Sequence, residues 1–472
     1  MSDQQQAEVI VVGAGPTGLL LAGDLAEAGI AVTVLEKRGK DLSNLSRAFA
    51  VHARTIEVLD ARGLADELFA LGGNELGKLF LFGRVELDLT ELPTRFPYLY
   101  STPQYKMEQV LRDRALRAGV AILYDHKVTG LDQTAETATV HTDKGDYTGR
   151  YVIGTDGVNS AVRKAAGIPF PGEAVLESIM LADVKLSDPP PRSPVANGAN
   201  GAFSFAADFG DGYWRVFAWN SHDQRPEDAP VEAEEISAAM RRAFGSDFGL
   251  HDPRWVSRFH SDERQAQTYR AQNVFLAGDA AHCHSPAGGQ GMNTGLQDAA
   301  NLSWKLAAVL RGADPALLDT YEAERHPVGK AVLRSSGTLV RVAASRSRTA
   351  QIVRTTAIAA LMRLKPVMRH MAGEISGIAI HYGHEKGDHR LVGHRAEDVD
   401  LADGSRLYEA LRGGRFVVLD SAGEDSSTAA HAFSAKPDGT AKVVRPDGYI
   451  GWAGPDDPAA IADYLAVHSG TR

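Results

Sequence analysis

A short apolar segment near the start of the chain, followed by closely spaced glycines and a helical pattern, limits the fold more than any other feature. Residues 9–12 form the β-branched run VIVV, and a second apolar segment at 30–35 ends at Glu36. The glycines between them are Gly13, Gly15 and Gly18. In such a strand, turn, helix and strand unit the glycines let the backbone approach a pyrophosphate, which the first amides of the helix bind. The pattern predicts a dinucleotide-binding unit.

Glu36 narrows the choice of dinucleotide. It follows the glycines by about 20 residues, where a carboxylate accepts hydrogen bonds from the ribose hydroxyls of an unphosphorylated nucleotide. FAD or NAD is therefore favoured over a 2′-phosphorylated nucleotide. No second G-x-G-x-x-G motif follows a strand pattern, which disfavours the two-nucleotide plan of the disulfide reductases.

Composition excludes several other functions. The chain has 472 residues and a formal net charge of −10, whereas nucleic-acid binders need clustered Lys and Arg. Cys283 is the single cysteine, so an internal disulfide, a CxxC pair and a multi-cysteine metal site are excluded. The start MSDQQQAEVI carries no secretory pattern, and no apolar stretch of roughly 18 residues occurs. We expect a cytoplasmic protein that acts on small molecules, without a membrane span.

Two later segments repeat the pattern of an apolar strand followed by a glycine turn with an acid. Residues 151–168 read YVIGTDGVNSAVRKAAGI, with Asp156 and Gly157 in the turn, and residues 274–277 lead to Gly278 and Asp279. If the three strands belong to one parallel sheet, the turns meet at its carboxyl edge around one long ligand. A helix is predicted over 296–307, directly after a glycine-rich loop.

Three motifs carry a resemblance to a known family: GAGPTG with Glu36, GTDGVNSAVRKAAG, and GDAAHCHSPAGGQGMNTGLQDAANLSWKLA. With them the chain resembles the class A FAD-dependent aromatic hydroxylases, the p-hydroxybenzoate hydroxylase and phenol hydroxylase family. The similarity is greatest to the subgroup of aromatic polyketide hydroxylases and rifampicin monooxygenases.

The resemblance implies an α/β (α+β) fold of several units. A Rossmann-like FAD-binding domain would comprise residues 1–75, 101–172 and 262–335. An antiparallel-sheet substrate domain would comprise 76–100 and 173–261, followed by linking helices at 336–393. A thioredoxin-like C-terminal domain would occupy 394–472, without cysteines and so without a thiol redox role.

The resemblance also assigns site residues. Asp156 and Gly157 would contact the FAD pyrophosphate and the nicotinamide cofactor, Asp279 the ribityl chain, and the loop 286–293 the isoalloxazine ring. Arg47 and Pro286 would act at the reacting part of the flavin. The full set of FAD-binding residues is Gly13, Gly15, Pro16, Thr17, Gly18, Glu36, Lys37, Arg47, Gln104, Val128, Asp156, Gly157, Gly278, Asp279, Pro286, Gly288, Gly289, Gly291, Met292 and Asn293.

Elementary electrostatics agrees with the placement of the ring. A reduced flavin carries negative charge, for which the N–H groups at a helix start are a suitable counterpart, and residues 291–293 precede the predicted helix. His282 and His284 flank Cys283, but no further ligands stand at metal spacing, so turn or packing roles are the better interpretation and no metal is predicted.

Residues 172–258 show period-two alternation with aromatic side chains, which predicts an antiparallel sheet facing a pocket. Pocket candidates, each of which could instead be a core residue, are Phe203, Phe205, Trp214, Phe217 and Trp219. No Arg or Lys cluster for a small carboxylate stands among them, which favours a large, mostly neutral polycyclic substrate. Residues 325–373 are basic, with helical periodicity broken at Gly337 and Pro366; we expect packing over the flavin domain rather than a membrane surface.

The implied function is hydroxylation of a phenolic or quinonoid ring with O2 and NADPH or NADH, through a C4a-hydroperoxyflavin. Alternatives on the same fold are Baeyer–Villiger insertion and hydroxylation of a small phenol. A flavin-dependent halogenase is less favoured, because its W-x-W-x-I-P signature is absent. A non-catalytic drug-binding flavoprotein is a further alternative, and a monomer or homodimer is expected.

Overall fold

The computed structural model describes residues 7–470, apart from 42–47, 82–84, 286–287, 344–357, 359, 384, 422, 424 and 426–428. Arg47 and Pro286 therefore lie outside the described residues. Within those ranges the helices are Pro16–Glu27, Ala53–Asp60, Ala65–Ala70, Gln104–Arg117, Ala161–Ala165, Ala233–Phe244, Gln290–Leu310, Asp319–Ala343, Lys365–Ser376, Leu407–Ala410 and Pro458–His468.

A six-stranded sheet carries the glycine turns at one edge. In spatial order its strands are Arg270–Ala271, Val274–Leu276, Tyr151–Gly154, Val9–Val12, Val32–Leu35 and Ala121–Leu123. All neighbouring pairs are parallel except the first. Val9–Val12 and its neighbours are buried throughout, because helices and the small sheet formed by 128–149 cover them. Continuous burial explains why they are apolar at every position. The prediction that the three strands share one parallel sheet is confirmed.

A larger, mostly antiparallel sheet lies beside the first. Its eight strands are, in spatial order, His282–Cys283, Leu250–Gln265, Gly172–Leu186, Trp214–Asn220, Ala202–Asp208, Val195–Ala199, Lys78–Leu81 and Val85–Asp88. Val195–Ala199 and Lys78–Leu81 form its parallel pair. Two three-stranded sheets complete the main part. One consists of Val128–Gln133, Ala138–Thr142 and Gly145–Gly149, and the other of Ala50–Val51, Leu99–Ser101 and Asn74–Leu76. The predicted antiparallel sheet is thus confirmed.

Trp214 points to the other side of that sheet from the remaining aromatic candidates. Phe205 pairs directly with Phe217, whereas Trp214 packs with Ile236 and Met240 of the helix Ala233–Phe244. Successive side chains of a strand alternate between the two faces, and 214 has the opposite parity from 217. The sequence-based assignment of Trp214 to the pocket is therefore wrong.

The helix Asp319–Ala343 continues through Gly337, where the sequence predicted a break. A β-carbon at that position would lie 2.4 Å from Oε1 of Glu263, so the glycine makes room for a neighbouring side chain rather than ending the helix. The predicted boundary at Pro366 agrees with the structure, because the proline lies in the first turn of Lys365–Ser376.

The C-terminal part is a four-stranded mixed sheet with the order Ala429–Ala432, Phe416–Leu419, Ala441–Val444 and Ile450–Gly454. The first two strands are parallel, the others antiparallel, and Pro458–His468 follows, as in a thioredoxin-like fold. Buried charges join this part to the rest: Arg445 and Lys305 donate to Glu324 at 2.7 and 2.8 Å. Burial opposes ionisation of Glu324, but Arg445 and Lys305 outweigh it and hold its pKa well below the ordinary value.

Among the helices of the described ranges, none combines the length and the apolar character that a membrane crossing requires.

Candidate cofactor and substrate site

A cavity of about 620 Å³ opens where the three parallel strands end, between the six-stranded and the eight-stranded sheets. Its size lies in the usual range of ligand sites, roughly 300–1,000 Å³. The predicted site residues in its wall are Gly13, Gly15, Pro16, Thr17, Glu36, Lys37, Gln104, Val128, Asp156, Gly157, Phe217, Asp279, Gly289, Gly291 and Met292. The other described candidates stand outside the wall: Gly18, Phe203, Phe205, Trp214, Trp219, Gly278, Gly288 and Asn293.

The glycines of the first turn have two different uses. A β-carbon at Gly13, where φ is +106°, would lie 2.6 Å from the carbonyl oxygen of Thr155, and one at Gly18 would lie 2.1 Å from that of Gly13. These two permit close packing of the turn. At Gly15 a β-carbon would meet no atom within 4 Å. The helix Pro16–Glu27 begins there without a side-chain cap, so its first N–H groups are available to an anionic ligand.

Glu36 lies at the end of its strand as a buried, ionised acceptor. Its carboxylate accepts hydrogen bonds from the N–H of Ala14 at 2.8 Å and from Arg38, both from the backbone N–H at 2.8 Å and from Nε at 3.1 Å. Burial opposes the charge, but the bonds from Arg38 lower the pKa of Glu36 below its ordinary value. The arrangement suits a carboxylate that receives hydrogen bonds from ribose hydroxyls.

The second turn is shaped by Asp156. Its carboxylate caps the helix Ala161–Ala165, with the N–H of Ala161 at 2.6 Å and the hydroxyl of Ser160 at 2.5 Å. The neighbouring Gly157 has φ +81°, and a β-carbon there would face open space. The backbone of Gly157 is therefore open to a ligand. Arg163 donates to the carbonyl of Ala280 at 2.8 Å and so ties the second turn to the third.

The third turn packs against the first and presents a carboxylate. At Gly278 φ is +60°, and a β-carbon would lie 2.8 Å from Oγ1 of Thr17. Asp279 follows in the cavity wall with an exposed side chain. No described residue donates a hydrogen bond to its carboxylate. Asp279 is thus a free acceptor at the junction of the first and third turns.

The helix after the glycine-rich loop begins at Gln290, six residues earlier than the predicted start at 296. Gly291 and Met292 therefore lie in its first turn and in the cavity wall. The prediction was late because glycines lower helix propensity. Here Gly295 is required by packing, since a β-carbon would lie 2.4 Å from Oγ1 of Thr17.

Asn293 lies outside the cavity wall and links the strand Ala50–Val51 to the glycine-rich loop by hydrogen bonds. Its Oδ1 accepts from the N–H of His52 at 2.8 Å, and its Nδ2 donates to the carbonyls of Ala50 at 3.0 Å and Gly289 at 2.8 Å. It is buried, so its side chain positions the strand Ala50–Val51 against the loop.

Sequence reasoning missed several residues of the cavity wall. Phe49 lines the cavity and packs on two aromatic rings. The centroid of its ring lies 4.7 Å from that of Phe205 and 5.9 Å from that of Phe217. The strand Leu250–Gln265 adds Phe259, His260, Ser261 and Asp262 to the wall. The aromatic character of Phe49, next to the predicted Arg47, was the available signal.

A buried ionic cluster supports the third turn. Asp298 accepts from the N–H of Gly278 at 3.1 Å, from Nε2 of His282 at 2.7 Å and from Nε of Arg325 at 2.7 Å. Burial opposes ionisation, but Arg325 and then His282 lower the pKa of Asp298. Across the part of the chain that the structure describes, no group of three or more His, Cys, Asp or Glu side chains could hold a metal ion.

Comparison with known proteins agrees with this geometry. The model of the FAD binding domain family matches residues 6–336, and that of the aromatic-ring hydroxylase C-terminal family matches 389–470. A rifampicin monooxygenase of Streptomyces venezuelae is 38% identical, covering 95% of this chain and 96% of its own length. A dialkyldecalin synthase of Streptomyces rugosporus is 33% identical, covering 95% and 96%.

Solved structures extend the similarity to three dimensions. The OxyS anhydrotetracycline hydroxylase of Streptomyces rimosus has a TM-score of 0.86 and 36% identity, covering 99% of this chain and 100% of its own. The matched domains account for both large sheets and for the C-terminal sheet. The chain therefore belongs to the FAD-dependent aromatic-ring hydroxylases and is a flavoprotein monooxygenase.

Proposed function

We propose that this protein transfers one oxygen atom from O2 to a large, mostly neutral polycyclic phenol or quinone, with NADPH or NADH as reductant. The observation that carries the substrate class is the wall contributed by the eight-stranded sheet. Its lining residues within the described ranges are Phe217, Phe259, His260, Ser261, Asp262 and Cys283, without an Arg or Lys. A small carboxylated phenol would find no cation on this side, whereas a polycyclic ring system would find aromatic surface. Relatives that act on rifampicin and anhydrotetracycline support the same class.

The wall residues fit FAD, which supplies the redox chemistry that accepts hydride and activates O2. The open first turn at Gly15 would receive the pyrophosphate, and Glu36 the adenosine ribose. Asp279 would receive the ribityl chain, and the first turn of Gln290–Leu310 the ring system. The exposed backbone at Gly157 supports a further contact near the pyrophosphate. The roles of Arg47 and Pro286 stay predictions.

The protein's own contribution is orientation and exclusion of water. Phe49 lies in the cavity wall and packs on Phe205 and Phe217 of the eight-stranded sheet. Phe49 and Phe217, which line the cavity, would hold a flat substrate against the cofactor and keep water out, and Phe205 packs against both rings. Exclusion of water matters because activated oxygen is otherwise lost as hydrogen peroxide.

A substrate screen tests this proposal. With the FAD-loaded enzyme, anhydrotetracycline, rifampicin or a related polycyclic quinone is expected to accelerate NADPH oxidation and to gain one oxygen by mass spectrometry. The small phenol 4-hydroxybenzoate should do neither. Turnover of 4-hydroxybenzoate alone would contradict the substrate class.

Fragmentation of the product separates two related outcomes. A ring hydroxyl supports hydroxylation, and a new ester or lactone indicates Baeyer–Villiger insertion with the same gain in mass. A product of unchanged mass would contradict the proposed transfer of oxygen.

We further propose a cytoplasmic monomer or homodimer without a nucleic-acid partner. The single cysteine supports a reducing compartment, and the net charge of −10 supports the absence of a nucleic-acid partner.

A further inference from the structure

His284 is a cavity residue for which the family comparison provides no role. It lies between the strand His282–Cys283 and the glycine-rich loop, with its side chain in the wall of the 620 Å³ cavity. Its Nδ1 is 3.1 Å from the carbonyl oxygen of Ser285. Its Nε2 is buried and has no hydrogen-bond partner among the residues that the structure describes.

The bond to Ser285 fixes the tautomer of the ring. A carbonyl oxygen only accepts, so Nδ1 carries the hydrogen, and in a neutral imidazole Nε2 is then an acceptor. Burial, reinforced by the neighbouring His282, lowers the pKa of His284 to about 4. The ring is therefore neutral near pH 7, with an unprotonated Nε2.

Nε2 of His284 lies near a second hydrogen-bond acceptor, the carboxylate of Asp279. A β-carbon at Gly291 would lie 3.5 Å from Cε1 and 3.8 Å from Nε2 of His284, and 3.8 Å from Oδ1 of Asp279. His284 and Asp279 thus flank the first turn of the helix Gln290–Leu310. A buried acceptor without a donor is unfavourable, because it has lost its hydrogen bonds to water. A ligand that brings several hydroxyl groups to this point would satisfy both.

We propose that Nε2 of His284 accepts a hydrogen bond from a ribityl hydroxyl of FAD, next to Asp279, and thereby sets the position of the flavin ring along the helix. The ribityl chain is the part of FAD that offers adjacent hydroxyl donors. This inference rests on the proposed placement of FAD in the cavity.

Titration of the apoprotein with FAD analogues that lack one ribityl hydroxyl tests the contact. The probes are FAD and its 2′-deoxy, 3′-deoxy and 4′-deoxy forms, and the readout is quenching of flavin fluorescence. The analogue that lacks the hydroxyl bound by His284 should bind the wild type about 10-fold more weakly than FAD, as expected for one lost hydrogen bond. The variant His284→Leu should bind that analogue and FAD equally well, whereas an analogue that lacks a hydroxyl bound by Asp279 should stay weaker than FAD in His284→Leu as well.

His251→Leu is the matched control, because Nδ1 of His251 also meets a backbone carbonyl, that of Gly249 at 2.8 Å, but the side chain is exposed outside the cavity. The variant His251→Leu should bind FAD more tightly than the analogue that lacks the hydroxyl bound by His284, as the wild type does. Equal affinity of the wild type for all four flavins would overturn the inference even if His284→Leu failed to fold. An unchanged preference in His284→Leu would overturn it too. A wild type that binds no flavin would contradict the placement of FAD itself.

Discussion

Replacement of Asp279 by alanine is expected to yield a folded but colourless protein. The carboxylate lies exposed in the cavity wall without a donor from the described residues, and we propose that it accepts hydroxyl groups of FAD. Hydrogen bonds to a charged group contribute about 1.5–3 kcal/mol each, so the dissociation constant of FAD should rise by roughly 10- to 150-fold for every bond lost. Absorbance of the purified protein and fluorescence titration of the apoprotein measure this change.

The control for this prediction is Asp319→Ala, because Asp319 forms an exposed ion pair with Arg270 away from the cavity. It should retain its yellow colour. Asp279→Asn keeps one acceptor oxygen, so its affinity for FAD should lie between those of Asp279→Ala and Asp319→Ala. If Asp279→Ala kept full FAD occupancy, the residue would have no place in the cofactor site.

The second large effect is expected on stability, from Asp298→Asn. Asp298 and Arg325 are fully buried and pair at 2.7 Å. Removal of one partner leaves an uncompensated buried charge, which costs about 3–5 kcal/mol. Urea unfolding of the FAD-loaded enzyme at pH 7 should show a loss of this size.

The stability difference between wild type and Asp298→Asn is expected to depend on pH in one direction. The pKa of Asp298 is lowered in the folded protein, so the ionised pair stabilises the fold above the pKa of an unfolded aspartate, about 4. The difference between wild type and Asp298→Asn should therefore narrow as the pH falls below that value. Asp319→Asn, which removes an exposed ion pair, should cost less than about 1 kcal/mol at pH 7. Similar losses in the two variants would show that the buried pair contributes little.

The parallel sheet could be predicted from the sequence because its signals are local. Each of the three strands is a short apolar run, and each ends in a glycine turn whose spacing reflects close backbone packing. Gly13 and Gly18 have no room for a side chain, so these positions had to be glycine. A local constraint of this kind is visible in one sequence.

The errors have a different origin. Gly337 and Gly291 lower helix propensity, yet both lie within helices, because contacts from distant segments outweigh a cost of about 1 kcal/mol. Trp214 was assigned by its aromatic character, although strict alternation with Phe217 puts it on the opposite face.

Side-chain contacts between remote parts of the chain could not be predicted. Asn293 bonds to the backbone of His52, 241 residues away, and nothing in either segment identifies its partner. The contacts of Phe49 with Phe205 and Phe217 of the eight-stranded sheet depend in the same way on how the two sheets meet. Such contacts appear only once the chain is folded.

A crystal structure of the FAD-loaded enzyme tests the central claim most directly. We predict one FAD per chain, with its adenosine ribose at Glu36, its pyrophosphate at Gly15 and its ring system against the first turn of Gln290–Leu310. A flavin bound elsewhere, or one that leaves any of these three positions without contact, would contradict the convergence of the three turns on a single cofactor.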